Sequence, residues 1–172
     1  MADSRSLGAM HLSANSSYEP QRSNNFQVEF YGLPGQGTEQ IMLACSDFTL
    51  PNITNDPIEI QHGNSSVKFA GRTNFQGVDR LTCIDWITTD IEKIIDQWRA
   101  LVYNPEDDTI GWASRYKKEG SVTEFGPDGT FERQWKLMGC WPSGVNYGEL
   151  SHEQNDIKKV ELTIAYDKAL RL

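Results

Sequence analysis

The chain has 172 residues with 24 acidic and 16 basic side chains, which gives a formal net charge of −8. Its length is that of one domain with a hydrophobic core, and a composition that is 38% apolar and 10% aromatic excludes a disordered chain. The acidic balance argues against a general nucleic-acid-binding protein, because attraction to phosphates needs a basic surface.

The sequence has no recognisable membrane or export segment. No run of about 18 apolar residues predicts a transmembrane helix, and no basic stretch followed by an apolar one predicts a signal peptide. The cysteines Cys45, Cys83 and Cys140 lie far apart in apolar or strand-like runs, which predicts buried free thiols instead of a disulfide framework or metal site. We therefore expect a soluble chain without a membrane anchor, made in a reducing compartment.

The N-terminal region differs in texture from the rest. Residues 1–24 are rich in Ser and Asn and have no hydrophobic periodicity, which predicts a flexible arm, and residues 25–172 are predicted to form the domain.

Alternation of apolar and polar side chains over residues 26–30 predicts a half-buried strand. Residues 32–37 are interpreted as a turn with no helix after it, because the Lys-Ser/Thr of a phosphate-binding loop is absent. A second strand is predicted over residues 41–45.

Two short alternating runs around a Gly-Asn turn predict a β-hairpin over residues 58–69. These runs hold few large apolar side chains, so the hairpin buries little surface on its own. Such a hairpin is a candidate for adding its edges to another sheet. Its defining residues are Ile58, Ile60, His62, Gly63, Asn64, Val67 and Phe69.

The strongest helical signal covers residues 90–103, after a predicted strand over 81–87. Thr89 and Glu92 have the spacing of a capping box at its start, and Asn104-Pro105 ends it. An amphipathic helix packed on a sheet is predicted, because apolar side chains recur with the helical period. These side chains are Ile91, Ile94, Ile95, Trp98, Leu101 and Val102.

The C-terminal third predicts further antiparallel strands. Runs over residues 122–125 and 130–133 flank a Gly-Pro-Asp-Gly turn, and the second run continues towards Cys140. A loop is predicted over 141–150, followed by a strand over 160–166. The fold class is therefore mainly β: an antiparallel sandwich or barrel of about seven to nine strands with one packed helix.

No catalytic or metal-binding constellation emerges from the sequence. The three histidines lie apart, and no His-Glu-x-x-His or paired Cys-x-x-Cys pattern is present. Ser143 is not in a nucleophile elbow, and the acidic loop at residues 106–108 lacks the spaced ligands and glycine of a calcium loop. We predict a non-enzymatic protein with no catalytic residue, cofactor or metal.

Taken in order, these segments resemble the tail tube protein of contractile-tailed bacteriophages, whose fold is shared with the tube subunit of type VI secretion systems. The resemblance covers about residues 25–166 and does not include the N-terminal arm. The loop at 106–114 is longer than the family pattern. Its most specific stretch is Gly-Cys-Trp-Pro-Ser-Gly-Val at 139–145, leading into Gly-Glu-Leu at 148–150. Weaker segments in the same order lie at 25–30, 44–51, 70–75 and 116–118, together with the Trp98 helix and the final strand.

The resemblance implies a phage tail-tube fold that completes a barrel in a hexameric ring. Rings would stack into a hollow tube inside a contractile sheath, pierce the host envelope and conduct genome DNA. The implied partners are further copies of the chain, the tail sheath protein, the baseplate hub, the tail terminator and the tape measure protein, with DNA passing the lumen without specific binding. The implied location is the virion tail, after assembly in the host cytoplasm.

Within that resemblance, the hairpin over 58–69 is predicted to reach a neighbouring subunit or the next ring, the alternative being an ordinary surface hairpin. Residues 25–88 carry three cations and seven carboxylates, and residues 119–172 carry six and nine. This excess in the strand regions suggests a negative lumen wall that repels phosphates. Candidate lumen residues are Glu59, Glu124 and Glu132, the alternative being outward, solubilising charges.

Trp141 and Pro142 are interpreted as anchors of their loop, in the core and at a turn, or as a contact with the next ring. The arm is predicted to be flexible in the isolated chain, and whether it folds onto an adjacent subunit stays open. Three alternative functions stay open: a tube-initiator or baseplate-hub relative, a secretion-system tube subunit, and a small carbohydrate-binding β-domain with exposed aromatic side chains.

Overall fold

A computed structural model describes residues 19–75, 79–153 and 155–172, so residues 1–18 of the predicted arm lie outside the described part. The strands are β1 (Phe26–Tyr31), β2 (Cys45–Phe48), β3 (Ile53–His62), β4 (Ser65–Phe75), β5 (Asp79–Ile84), β6 (Tyr103–Asn104), β7 (Thr109–Ile110), β8 (Lys118–Phe125), β9 (Phe131–Asn146), β10 (Lys159–Ala165) and β11 (Lys168–Arg171). The helices are α1 (Gly37–Ala44), α2 (Ile91–Val102) and α3 (Ala113–Tyr116).

One antiparallel sheet in the order β1-β8-β9-β10-β5-β2 forms the body of the molecule, and β11 pairs with β9 beside this path. The first part of β9 pairs with β8 and β11, and its last part pairs with β10. Gly139, with a φ of 72°, lies just after the pairing with β11 ends at Met138 and shortly before the pairing with β10 begins at Trp141. An added Cβ at Gly139 would collide with the carboxylate of Asp167. Only glycine fits this bend, and the bend lets one strand belong to both halves of the sheet. The predicted mainly-β class is confirmed.

The predicted amphipathic helix is confirmed as α2, but its cap differs from the prediction. Asp90 is the N-cap, and its carboxylate accepts a hydrogen bond of 2.9 Å from the backbone N–H of Lys93. The capping box that was predicted from Thr89 and Glu92 is therefore wrong by one position. The Asp90 carboxylate lies directly before the first turn, where it accepts a hydrogen bond from a free backbone N–H. Its negative charge also interacts favourably with the positive end of the helix dipole.

The buried face of α2 supplies the centre of the core. The Trp98 ring lies 5.4 Å from the Phe30 ring, measured between centroids, and its indole N–H donates to the backbone carbonyl of Tyr116 at 2.9 Å. This contact ties α3 to α2. The largest fully buried side chains of the core are Val28, Phe30, Ile41, Leu81, Ile91, Ile95, Trp98, Val122, Leu137, Val160, Leu162 and Ile164.

The strand predicted over residues 41–45 is wrong, because these residues belong largely to α1. Ile41 and Ala44 are three residues apart and both face the core, as a helix requires. The helix begins at Gly37, so the prediction that no helix follows the turn at 32–37 is also wrong. An added Cβ at Gly37 would lie 2.8 Å from Cγ2 of Ile94, which shows how closely α1 approaches α2.

The loop predicted over 141–150 is wrong in its first part, because β9 continues to Asn146. Pro142 lacks an N–H and is unusual inside a sheet. It lies beside a bulge in β9, because the consecutive residues Thr163 and Ile164 of β10 pair with Gly144 and Pro142 and leave Ser143 as the extra residue. The strand predicted over 160–166 corresponds to β10, and β11 after it was not predicted.

Among the described residues, no helix has both the length and the apolarity to span a bilayer.

Candidate assembly surfaces

The hairpin formed by β3 and β4 is longer than predicted and stands apart from the main sheet. Its strands have 10 and 11 residues and pair with each other from Ile53 opposite Phe75 to His62 opposite Ser65. Within the described residues, neither strand pairs with a strand of the main sheet. Both outer edges of the hairpin therefore offer unpaired backbone donors and acceptors.

One face of this hairpin is apolar and exposed to solvent. The register places Ile58 opposite Phe69 and Ile60 opposite Val67, and these four side chains are 49% to 55% exposed. We call these four residues the apolar hairpin face. Four neighbouring apolar side chains left half in water are a surface suited to association.

The tip and the second face of the hairpin are polar. The tip is a two-residue turn of Gly63 and Asn64, in which Gly63 has a φ of 62°. The Ser65 hydroxyl donates to the backbone carbonyl of His62 at 3.1 Å and braces the turn. On the second face, Glu59 lies opposite Lys68. The residues of the predicted hairpin lie in β3, its turn and β4, with His62, predicted in the turn, as the last residue of β3. Their role between subunits stays a prediction.

The structure places the three candidate lumen carboxylates in different settings. Glu59 is exposed on the hairpin. Glu124 in β8 is mostly buried, with 16% side-chain exposure, and its Oε2 lies 3.9 Å from Nη1 of Arg133. Glu132 is exposed at the start of β9, where its Oε1 lies 3.4 Å from the Thr130 hydroxyl, which donates to Asp128 at 2.6 Å. Glu59 and Glu132 thus present charge to solvent, whereas a guanidinium partly offsets the charge of Glu124.

Sequence reasoning missed a polar network on the face of β1, β8 and β9 that is opposite the core. The Tyr31 hydroxyl donates to Oε2 of Glu29 at 2.7 Å and lies 3.0 Å from Oγ of Ser121. Nζ of Lys136 lies 3.2 Å from Oε2 of Glu119. The signal for most of this network was present, because Glu29, Tyr31, Ser121 and Lys136 each neighbour core residues along their strands.

The predicted loop anchors lie in strand β9. Pro142 is buried and Trp141 is half-buried. The Trp141 ring packs edge-on against the ring of Tyr116 with centroids 5.9 Å apart. This contact joins β9 to α3, and a role in contacting another ring stays a prediction.

A buried carboxyl group lies at the start of β5. Asp79 is 2% exposed, its Oδ1 accepts from the Tyr166 hydroxyl at 3.4 Å, and its Oδ2 has no hydrogen-bond partner within the described part of the chain. Burial raises the pKa of Asp79 to about 7, against the lowering effect of the Tyr166 hydroxyl.

The described residues contain no group of three or more His, Cys, Asp or Glu side chains placed to hold a metal ion.

Comparisons with known proteins relate this arrangement to tube-forming proteins. A chain in the cryo-EM structure of the anti-feeding prophage tube terminating cap is 14% identical, covers 90% of this chain and 91% of its own length, and superposes with a TM-score of 0.68. A chain of the PVC sheath-tube complex, from an extracellular contractile injection system in the extended state, is 16% identical. It covers 92% of this chain and 97% of its own length, with a TM-score of 0.68.

A type six secretion system protein is more distant, at 7% identity with a TM-score of 0.52, covering 87% of this chain and 83% of its own. These likenesses show a shared fold, and no curated protein matches the sequence significantly. The family described as T4-like virus tail tube protein gp19 matches residues 22–169, which is most of the chain. The chain therefore belongs to the T4-like tail tube protein family and is a structural subunit of a tail tube.

Proposed function

We propose that six copies of this chain close into a ring and that the rings stack into the inner tube of a contractile viral tail. The tube pierces the host envelope and conducts genome DNA. The family match and the likeness to a sheath-tube complex and a tube terminating cap support this assembly. Its proposed partners are a sheath protein, a terminator, a baseplate hub and a tape measure protein. The subunit assembles in the host cytoplasm, ends in the particle tail and needs no catalytic group.

The observation that carries this proposal is the hairpin of β3 and β4. A monomer that exposes two unpaired strand edges and a four-residue apolar surface is prone to uncontrolled association. Contact with another subunit satisfies both features at once, because the neighbour covers the apolar hairpin face and pairs with an edge. A closed ring repeats that contact around an axis and leaves no free edge within the ring.

The test is polymerisation of variants with an altered hairpin. We expect Ile60→Asp combined with Val67→Asp to abolish hollow tubes in negative-stain electron micrographs, because two buried charges would oppose the contact. Deletion of the hairpin tip, residues 61–66, is expected to have the same effect. Both variants should keep the circular dichroism spectrum and cooperative thermal unfolding of the main sheet.

The matched control is the exchange Glu59→Lys with Lys68→Glu, which alters the other face of the same hairpin and preserves net charge. This variant should still form tubes. Normal tubes from the Ile60/Val67 variant would overturn the proposed role of the apolar hairpin face. Loss of tubes in the control as well would show that any change in the hairpin blocks assembly.

The excess negative charge of the strand regions is proposed to line the channel and keep DNA from adhering. Glu59 and Glu132 are exposed and contribute charge at the surface, and Glu124 contributes less because Arg133 lies beside it. Around the subunit, the arm over 1–24 orders against an adjacent copy and the strand at Trp141 and Pro142 supports contact with the next ring. Unchanged protease cleavage of the arm before and after polymerisation would contradict its ordering.

A further inference from the structure

Two of the three cysteines face each other across neighbouring strands. The antiparallel pairing of β2 with β5 places Cys45 directly opposite Cys83, and both are free thiols. Residues directly opposite in antiparallel strands have Cα atoms about 4.5–5.5 Å apart. That separation lies within the range that a disulfide bridges without movement of the backbone.

Both side chains also lie on the same side of the sheet. Cys83 is fully buried in the core, and Cys45 is partly buried and packs against that same core. The third cysteine, Cys140, lies in β9, which β10 separates from β5 in the sheet. Strand order and register therefore single out one pair among the three possible pairs of cysteines.

The position of this pair in the chain gives it a structural consequence. β2 leads into the hairpin of β3 and β4, and β5 receives the chain after it. The segment from Cys45 to Cys83 thus contains the whole hairpin. A covalent link between these residues would close the base of the hairpin where it joins the main sheet.

We propose that Cys45 and Cys83 are a redox-modification site, which a low-molecular-weight disulfide such as oxidised glutathione converts into a cross-strand disulfide. The more accessible Cys45 thiolate attacks one sulfur of oxidised glutathione and forms a mixed disulfide, and the first glutathione leaves as a thiolate. The Cys83 thiolate then attacks Sγ of Cys45 and releases the second glutathione. Two electrons pass from the protein to the oxidant, and the two thiol protons pass to the two glutathione thiolates.

The environment of the pair makes this reaction slow at neutral pH. Burial raises the pKa of both thiols to about 12, and the neighbouring Asp47 adds to the effect at Cys45. In a reducing compartment the pair stays reduced, and the bridge forms after exposure to an oxidising medium. Because the thiolate fraction rises about tenfold for each pH unit well below the pKa, the rate should rise about tenfold per unit between roughly pH 7 and 9.

The experiment treats the purified full-length chain with oxidised glutathione at pH 8.5 and blocks remaining thiols with an alkylating agent. Tryptic digestion without reduction should yield residues 23–68 linked to residues 81–93. The thiols counted after denaturation should fall from three to one per chain. The oxidised protein should unfold roughly 5–10 °C above the reduced protein, because the bridge closes a long loop.

The control variants are Cys140→Ser, Cys45→Ser and Cys83→Ala. Cys140→Ser should still form the bridge and fall from two thiols to none, whereas the other two variants should form no internal bridge. Three free thiols after oxidation of the unsubstituted chain would overturn the proposal. So would a stable glutathione adduct on Cys45 without the linked peptide, or a link that involves Cys140. The peptide map uses the natural sequence, so a variant that fails to fold leaves the test decisive.

Discussion

At the scale of single residues, Asp79 is the side chain whose environment opposes its ordinary chemistry. Its carboxyl group is buried at the start of β5, and within the described part of the chain its hydrogen-bond partner is the Tyr166 hydroxyl, at 3.4 Å. Burial raises its pKa from 3.8 to about 7. The folded protein therefore holds a proton that the unfolded chain has already released at intermediate pH. The site favours folding fully below about pH 3.8, and this contribution is lost as the pH rises to about 7.

We predict that Asp79→Asn raises the free energy of unfolding at pH 8 by roughly 2–4 kcal/mol and changes it little at pH 4. The amide is neutral at both values, so the variant keeps what the carboxylate loses. Urea unfolding across this pH range measures the effect. Glu106→Gln, in an exposed loop, should leave the pH profile unchanged, and parallel profiles for Asp79→Asn and the natural chain would contradict the prediction.

At the scale of elements, the first turn of α2 depends on one carboxylate. Replacement of Asp90 by Ala removes the acceptor for the Lys93 N–H. We expect the free energy of unfolding to fall by about 1 kcal/mol, a decrease in Tm of roughly 2–4 °C. Thr89→Ala, one residue earlier, is the matched control and should change stability by less than about 0.5 kcal/mol. A larger effect from Thr89→Ala than from Asp90→Ala would restore the capping box at Thr89.

The elements that sequence patterns predicted are those with an unambiguous period. α2 has 12 residues and one apolar face, and the hairpin of β3 and β4 alternates on both sides of a Gly-Asn turn. α1 was missed because residues 41–45 form a continuous apolar run, which fits a helix or a strand equally. Its N-cap residue Gln36 makes no side-chain capping hydrogen bond, so no start signal was available either.

The sequence predicted some features of the candidate surfaces, and others required the pairing of the strands. The hairpin residues follow from local alternation, whereas its apolar hairpin face required the register between the strands. The end of β9 was placed too early because Pro142 indicates a break, and the bulge at Ser143 beside it is defined only by the pairing of β9 with β10. The pairing of Cys45 with Cys83 likewise depends on strand order, because 37 residues separate them in the sequence.

At the scale of the whole molecule, the proposed channel charge has a measurable consequence. Tubes assembled from Glu59→Gln combined with Glu132→Gln should retain more DNA at low salt than natural tubes, because less negative charge repels the phosphates. The excess should shrink as salt rises, since salt screens the charges. DNA retained on washed tubes is the measurement. Tubes carrying Glu106→Gln with Glu149→Gln lose the same charge from loops, and equal retention by both variants would contradict a charged channel.

The way the hairpin joins the main sheet determines how the subunit bears force. β2 and β5 are neighbours, and the hairpin emerges from adjacent ends of the two, where Phe48 lies opposite Leu81. A pull on the hairpin that runs along these strands draws both in one direction, so they do not slide past each other. The load falls instead on the row of backbone hydrogen bonds between β5 and β10, which pair over six consecutive positions. Because the force runs along the strands, all of those hydrogen bonds are loaded at the same time and do not open one after another. A subunit that is pulled by its hairpin should therefore stretch little before β5 separates from β10.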